Sequence, residues 1–72
     1  MELVTKNTSD LIPYVNNSRT HSEEQINQII SSIKEFGFTN PVLIESDNGI
    51  IAGHGRIMAA KKMGLKEVPC VM

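Results

Sequence analysis

Between Ser22 and Phe38 the chain spells out one helix from cap to cap, and the remaining residues have to fold around it. Ser22 is a good N-cap, and Gln25 three residues on completes a capping-box pattern. Glu23 and Glu24 fall in the first turn, where the helix dipole favours negative charge. Ile26, Ile29, Ile30, Ile33 and Phe36 then recur at the spacing of a single helical face. Gly37 supplies the left-handed position that ends a helix, and Phe38 the apolar residue that follows such a stop. The pattern predicts a helix over 23–36 with its apolar stripe in the core.

The flanking segments are short and rich in β-branched residues. Leu3-Val4 reads as a short edge strand, followed by a polar stretch from Thr5 to Asp10. Leu11 to Val15 reads as extended, because Ile12 precedes Pro13 and is pushed out of the α region. Residues 16–21 form a polar loop. Val42-Leu43-Ile44 and Ile50-Ile51-Ala52 flank Asp47-Asn48-Gly49, the signal of a β-hairpin. Their apolar runs are continuous, so the sheet is expected to be covered on one face and partly on the other. A second helix is expected from Ile57 to Met63, stopped by Gly64, with Met58 and Met63 in the core. Glu67 to Val71 reads as a last strand. Pro69 cannot donate to a ladder, which places that strand at an edge or a bulge. The order predicts an α+β domain: a small mixed β-sheet with two main helices.

Size and charge narrow the function classes. With 72 residues the chain is expected to form a single domain over 1–72. It buries only about 60% of its unfolded surface. The ending on a strand without a closing cap is what a fragment of a longer protein would show. Seven Lys/Arg against eight Asp/Glu leave a net charge of −1, so any grip on nucleic acid has to come from a local patch. One cysteine, Cys70, excludes an internal disulfide and a cysteine zinc cage. Apolar runs fall far short of the roughly 20 residues that span a bilayer, and no signal peptide opens the chain. The expectation is a cytoplasmic protein with no membrane partner.

Chemistry is concentrated from Ile50 to Arg56, where a strand runs through two glycines into a helix. Gly53 and Gly55 permit close approach to the main chain. The helix start presents unpaired N–H groups and a positive dipole end, and Arg56 adds a forked cation suited to phosphate or carboxylate. Together these predict an anion pocket, most simply one for phosphate. The competing reading is a tight turn with a solvated Arg56. His54, between the glycines, is either a donor or acid/base group or a loop histidine bonded to backbone. Arg19 and His21 become a second phosphate cation and a nearby polar group if their loop folds over the glycine turn; otherwise both are surface residues. Glu23 and Glu24 serve more simply as charge at a helix start than as metal ligands.

Taken together, Asn17 to Ser22, Ile33 to Gly37, Asn40 to Ile44, Ile51 to Arg56, Ala59-Ala60 and Val68-Pro69 resemble the N-terminal domain of ParB-like proteins. This is the ParB/sulfiredoxin superfamily, which also carries the label ParB-like nuclease. The resemblance runs from about Leu11 to Val71 and extends to a phage and prophage branch with a Gly-His-Gly-Arg box. Domains of that branch are often fused to, or encoded beside, a DNA-modification methyltransferase. The resemblance implies a phosphate or nucleotide site formed by Gly53, His54, Gly55, Arg56 and Arg19. In partition ParB proteins the corresponding box is Gly-Glu-Arg-Arg, which binds CTP and helps load the protein on DNA. Gly53 and Arg56 match its ends; His54 and Gly55 depart from its centre. The family's later acidic/Asn-Asn-Arg segment, which helps hold metal and triphosphate, does not occur within residues 1–72, nor does a helix-turn-helix. Sulfiredoxins carry a catalytic cysteine where His54 stands, so their reaction is not expected here.

Three functions remain open at the level of sequence. One is a non-catalytic module that binds nucleotide phosphate or DNA backbone, with a nucleoside triphosphate and Mg²⁺ as the ligand the resemblance suggests. Another is a nuclease- or NTPase-type enzyme, with His54 or His21 as acid/base and Arg56 stabilising charge; Glu23, Glu24 and Glu45 are its available metal carboxylates. The last is a targeting or interaction domain for a methyltransferase or a downstream domain. A second copy of the chain stands among the candidate partners.

Overall fold

A computed structural model describes residues 1–13 and 21–72. In chain order these form β1 (Leu3–Asn7), a 3-10 turn (Thr8–Asp10), α1 (Glu23–Phe36), β2 (Val42–Ile44), β3 (Ile50–Ala52), α2 (His54–Lys62) and β4 (Glu67–Val71). The four strands make one mixed sheet in the order β1-β4-β2-β3. β4 pairs antiparallel with β1 and parallel with β2, and β2 pairs antiparallel with β3. This is the expected α+β arrangement, a small mixed sheet with two main helices.

The N-cap signals of α1 act as the sequence predicts, whereas Gly37 takes φ +79° with ψ −176°, outside the left-handed helical region that a Schellman stop uses. Ser22 Oγ accepts from the Gln25 backbone N–H and Gln25 Oε1 accepts from the Ser22 N–H, both at 3.1 Å. Gly37 stops the helix at φ +79°, its N–H donating to the Ile33 carbonyl at 2.8 Å. α2 ends differently: Leu65 N–H reaches back to the Ala60 carbonyl at 2.9 Å across Gly64 (φ +78°), a 6→1 closure of the Schellman kind. Phe38 and Leu65, the apolar residues after each stop, both pack on the core.

That core lies between α2 and one face of the sheet. Val42, Ile44, Ile50, Val68 and Cys70 are buried from the strands, with Ile57 and Ala60 from α2 and Leu11 from the segment after the 3-10 turn. Fully burying an aliphatic side chain contributes about 1.5–3 kcal/mol, and these few residues carry most of that stabilisation. Thr8 is buried beside them, its hydroxyl donating to the Leu65 carbonyl at 3.1 Å.

Several expectations are corrected. β4 is an interior strand, not an edge, although it contains Pro69. Glu2 and Met72 exchange both backbone bonds, at 3.0 and 2.9 Å. Antiparallel pairs alternate between bonded and non-bonded, so Pro69, opposite Thr5, falls at a non-bonded position facing away from β1. On its other side β2 enters the ladder only at Val42, which registers with Cys70. The missing N–H therefore falls just outside both ladders.

The stripe of α1 is only partly covered. Ile26 is buried, Ile29, Ile30 and Ile33 are half-buried, and Phe36 is 67% exposed. The cause is layering: α1 leans on α2 rather than on the sheet. Met58 is likewise exposed. The second face of the sheet is open at β1, where Leu3 is exposed. β1 continues beyond the expected Leu3-Val4 pair to Asn7, into the polar stretch. The hairpin turn is longer than two residues: Asn48 takes the left-handed conformation, and Glu45 N–H donates to the Gly49 carbonyl at 2.8 Å.

Candidate functional site

The end of β3 enters α2 through a single residue, Gly53. Its φ of +106° is one that side chains rarely adopt. The space beside it is also taken: a Cβ here would stand 3.0 Å from Arg56 Nη1 and 3.3 Å from both Val42 methyls. α2 begins at His54, three residues earlier than expected, and its first bond runs from Ile57 N–H to the Gly53 carbonyl at 3.0 Å. His54, Gly55 and Arg56 thus form the first turn. Their N–H groups are the ones a helix leaves without intrahelical partners, and no side chain caps them.

Gly55 is buried inside this turn. A Cβ on it would lie 2.9 Å from His21 Nε2 and 3.0 Å from Ile29 Cδ1. The close approach that Gly55 permits is therefore that of the His21 ring and α1. The arrangement brings the residue preceding the α1 cap onto the start of α2.

Arg56 folds back over Gly53, as its 3.0 Å approach to that glycine's missing Cβ shows. It is half-buried and makes no ion pair among the described residues. His21 Nδ1 and His54 Nε2 are both buried with no hydrogen-bond partner among the described residues. Such atoms normally have one, so each marks a place where a donor or acceptor is wanted.

These groups line a cleft of about 680 Å³. His21, Gly53, His54, Gly55 and Arg56 form its polar corner. Ile29, Ile33, Phe38 and Ile51 add apolar surface, and Ser32, Thr39 and Asn40 add neutral hydrogen-bonding groups. Four of the five sequence-predicted site residues, together with His21, are brought to one cleft. Arg19 lies outside the described residues. The cleft wall contributed by α1 was not anticipated, since Ile29 and Ile33 read as core; the incomplete burial of the stripe turns them into lining.

The cleft has no carboxylate among its described lining residues. Glu23 pairs with Lys62 Nζ at 3.4 Å on the outer surface, Glu24 is exposed in the same turn, and Glu45 sits in the hairpin turn. No cluster of three or more metal-ligating side chains occurs among the described residues. Of the described lining side chains, Ser32, Thr39 and Asn40 carry the oxygen atoms that a hard cation such as Mg²⁺ would take. Cys70 is buried in β4 away from this corner, and burial raises its thiol pKa against a smaller opposing effect of Lys6. Among the described residues no helix is long and apolar enough to cross a membrane.

A strand-to-helix junction of this kind, on a four-stranded sheet of order β1-β4-β2-β3, defines the class: α+β domains of the ParB/sulfiredoxin fold. Within that class, the chain belongs to the ParB N-terminal domain family, which it matches over residues 2–72. It is 49% identical over 72 residues to the ParB-like nuclease domain-containing protein YnaK of Escherichia coli (strain K12), covering 100% of this chain and 83% of that protein. Among solved structures it superposes on sulfiredoxin from Arabidopsis thaliana with a TM-score of 0.84 at 22% identity, over 99% of this chain and 83% of that one. It superposes also on the C-terminally truncated chromosome-partitioning protein ParB from Caulobacter crescentus complexed with CTP-gamma-S. There the TM-score is 0.83 at 28% identity, over 99% of this chain and 43% of that one. The chain thus spans less than half of that partition protein. The likeness to sulfiredoxin is one of fold, and no cysteine stands in the first turn of α2.

Proposed function

We propose that this domain is a non-catalytic module that binds the phosphate of a nucleotide or of a DNA backbone at the first turn of α2. One observation carries the reading. An Arg56 guanidinium lies against the N-terminal turn of α2, in a cleft whose two imidazoles each keep a buried nitrogen; none of the three has an ion-pair or hydrogen-bond partner there among the described residues. Unpaired helix N–H groups and a forked cation are a phosphate-binding combination. The complex of Caulobacter crescentus ParB with CTP-gamma-S supports a nucleotide as ligand.

A direct test is isothermal titration of the wild type and Arg56→Ala with CTP, ATP and a short DNA duplex. The reading expects heat with one of these in the wild type and at least a tenfold weaker constant in the variant. Silence with every ligand, or equal binding by both proteins, overturns it.

A second reading, an interaction domain for a DNA methyltransferase or a downstream domain, is favoured by the apolar side chain of Leu3 left exposed on β1. Co-purification with the polypeptide encoded next to it, lost in Leu3→Lys, would support this role.

A further inference from the structure

β1 lies at one end of the sheet, with β4 on one side and nothing paired to its other side among the described residues. The phase of the ladder decides which backbone groups are left over. Glu2 and Met72 exchange both bonds, so in the alternating pattern of an antiparallel pair Val4 and Lys6 also bond to β4. The N–H and C=O groups of Leu3, Thr5 and Asn7 therefore point outward. Such an unpaired row is a template for another strand. The described residues that flank 14–20 lie toward the other end of the sheet: Ile12 bridges to Gly49 beside β3, and His21 packs on Gly55 in the first turn of α2.

The side chains of this edge are sorted by face. Val4 packs on the core, and by alternation Glu2 and Lys6 share its side. Leu3 and Thr5 stand on the opposite side. There Leu3 is 69% exposed and continues a cross-strand row through Val71 and Leu43, both half-buried. Neither Glu2 nor Lys6 has an ion-pair partner among the described residues. A charge on the inner side of an edge strand ordinarily deters pairing, but here the same side of the same strand carries the opposite charge.

Turned about a two-fold axis through Val4, the strand matches itself. In that antiparallel register Leu3 of each copy bonds to Thr5 of the other through the outward backbone groups. On the core side Val4 faces Val4 of the second copy, and Glu2 of each copy directly opposes Lys6 of the other. On the open side the two Leu3 side chains are diagonal neighbours across the axis. Moving the axis to Leu3 sets Glu2 against Val4, and moving it to Thr5 sets Lys6 against Val4. Charge and apolar matching thus select one register.

We infer that the β1 edge docks a second copy of this chain, β1 on β1 and antiparallel about Val4, joining two four-stranded sheets into one through reciprocal Glu2–Lys6 pairs. A contact of this kind is isologous and closes after two copies. A strand of five residues makes a small interface, so the association is weak and reversible. The cleft beside β3 and α2 stays open in such a pair, because it lies toward the other end of the sheet.

Sedimentation equilibrium of the 72-residue chain, from about 10 μM to 1 mM, should show monomer and dimer in exchange. Glu2→Lys sets lysine against lysine and Lys6→Glu sets glutamate against glutamate, so each should weaken the dimer about tenfold. Mixing the two variants restores both opposite-charge pairs and should recover most of the lost affinity. Thr5→Pro removes an outward donor that β4 does not use, and should abolish the dimer without touching its charges. Far-UV circular dichroism identifies the folded variants, and the proline and charge routes are independent, so misfolding of one leaves the other decisive. A monomer at every concentration overturns the inference and leaves the edge to a different partner. A dimer that persists in folded Thr5→Pro, withstands both charge reversals, or is not recovered in the mixture overturns it as well.

Discussion

The His21 imidazole occupies the volume that a side chain at Gly55 would need: Nε2 lies 2.9 Å from where the Cβ would be. A residue just before the first helix and a residue in the first turn of the second are thus mutually dependent, across 34 positions of sequence (55 − 21). The pairing fixes how α1 and α2 meet and therefore the shape of the cleft between them.

Gly55→Ala should accordingly destabilise the fold. Overpacking of this kind costs about 1–3 kcal/mol, against at most about 1 kcal/mol gained from alanine's better helix propensity. In a His21→Ala background the same change should cost less, because only the Ile29 Cδ1 contact at 3.0 Å remains. Urea unfolding of the four proteins measures the coupling, expected at about 0.5–3 kcal/mol. Additive effects would show that the contact is not a constraint.

Gly53 and Gly37 both have positive φ, yet they differ in surroundings. Around Gly37 nothing lies within 4 Å of an added Cβ, whereas at Gly53 it meets Arg56 and both Val42 methyls. Gly37→Ala should cost only the backbone strain of its glycine-only φ/ψ, about 1–3 kcal/mol. Gly53→Ala should cost more, by up to about 1–3 kcal/mol of packing strain, and should also move the guanidinium. Thermal denaturation ranks the two, and equal losses would contradict the geometry.

Arg56→Lys keeps the charge but not the fork. If the guanidinium holds phosphate through two parallel N–H groups, lysine should restore only part of the affinity lost in Arg56→Ala. Full rescue in the titration would mean that it acts as a simple charge.

Cys70 should react with thiol reagents only through unfolding. It is fully buried, and desolvation raises its pKa above the ordinary thiol value of 9.0, with Lys6 opposing more weakly. The sign follows from linkage: a raised folded pKa means the unfolded state loses its proton first. The associated stability is complete below about pH 8.5 and declines as pH rises through the folded value. Urea midpoints at pH 7.5 and 9.5 should differ in that direction for the wild type and less for Cys70→Ala. Labelling rates should follow the unfolded fraction.

Local signals were legible where they act locally. The Ser22–Gln25 box, the stops at Gly37 and Gly64 and the three β-branched strand segments each form through bonds between near neighbours, so residue type decides them. What the sequence concealed depends on partners. Pro69 suggested an edge because the rule concerns a donor; only the phase of both ladders reveals that the donor is not needed. The start of α2 at His54 ran against two glycines that are poor helix formers, and one of them is there to admit a ring from elsewhere. Phe36 and Met58 matched apolar positions but lie outside the layer that α2 shields. The strand–glycine–helix junction stood out in the sequence, while the α1 wall of the cleft did not.

The placement of β4 has a consequence for how the chain acquires its shape. The central strand is the final one to be made, and until residues 67–71 emerge from the ribosome β1 and the β2–β3 hairpin have no common neighbour. Helical segments can flicker into being earlier, but the closing step joins parts of the polypeptide separated by most of its length, a slow kind of closure. A nascent chain halted at Lys66 should thus remain a collection of fragments that cannot yet hold a ligand.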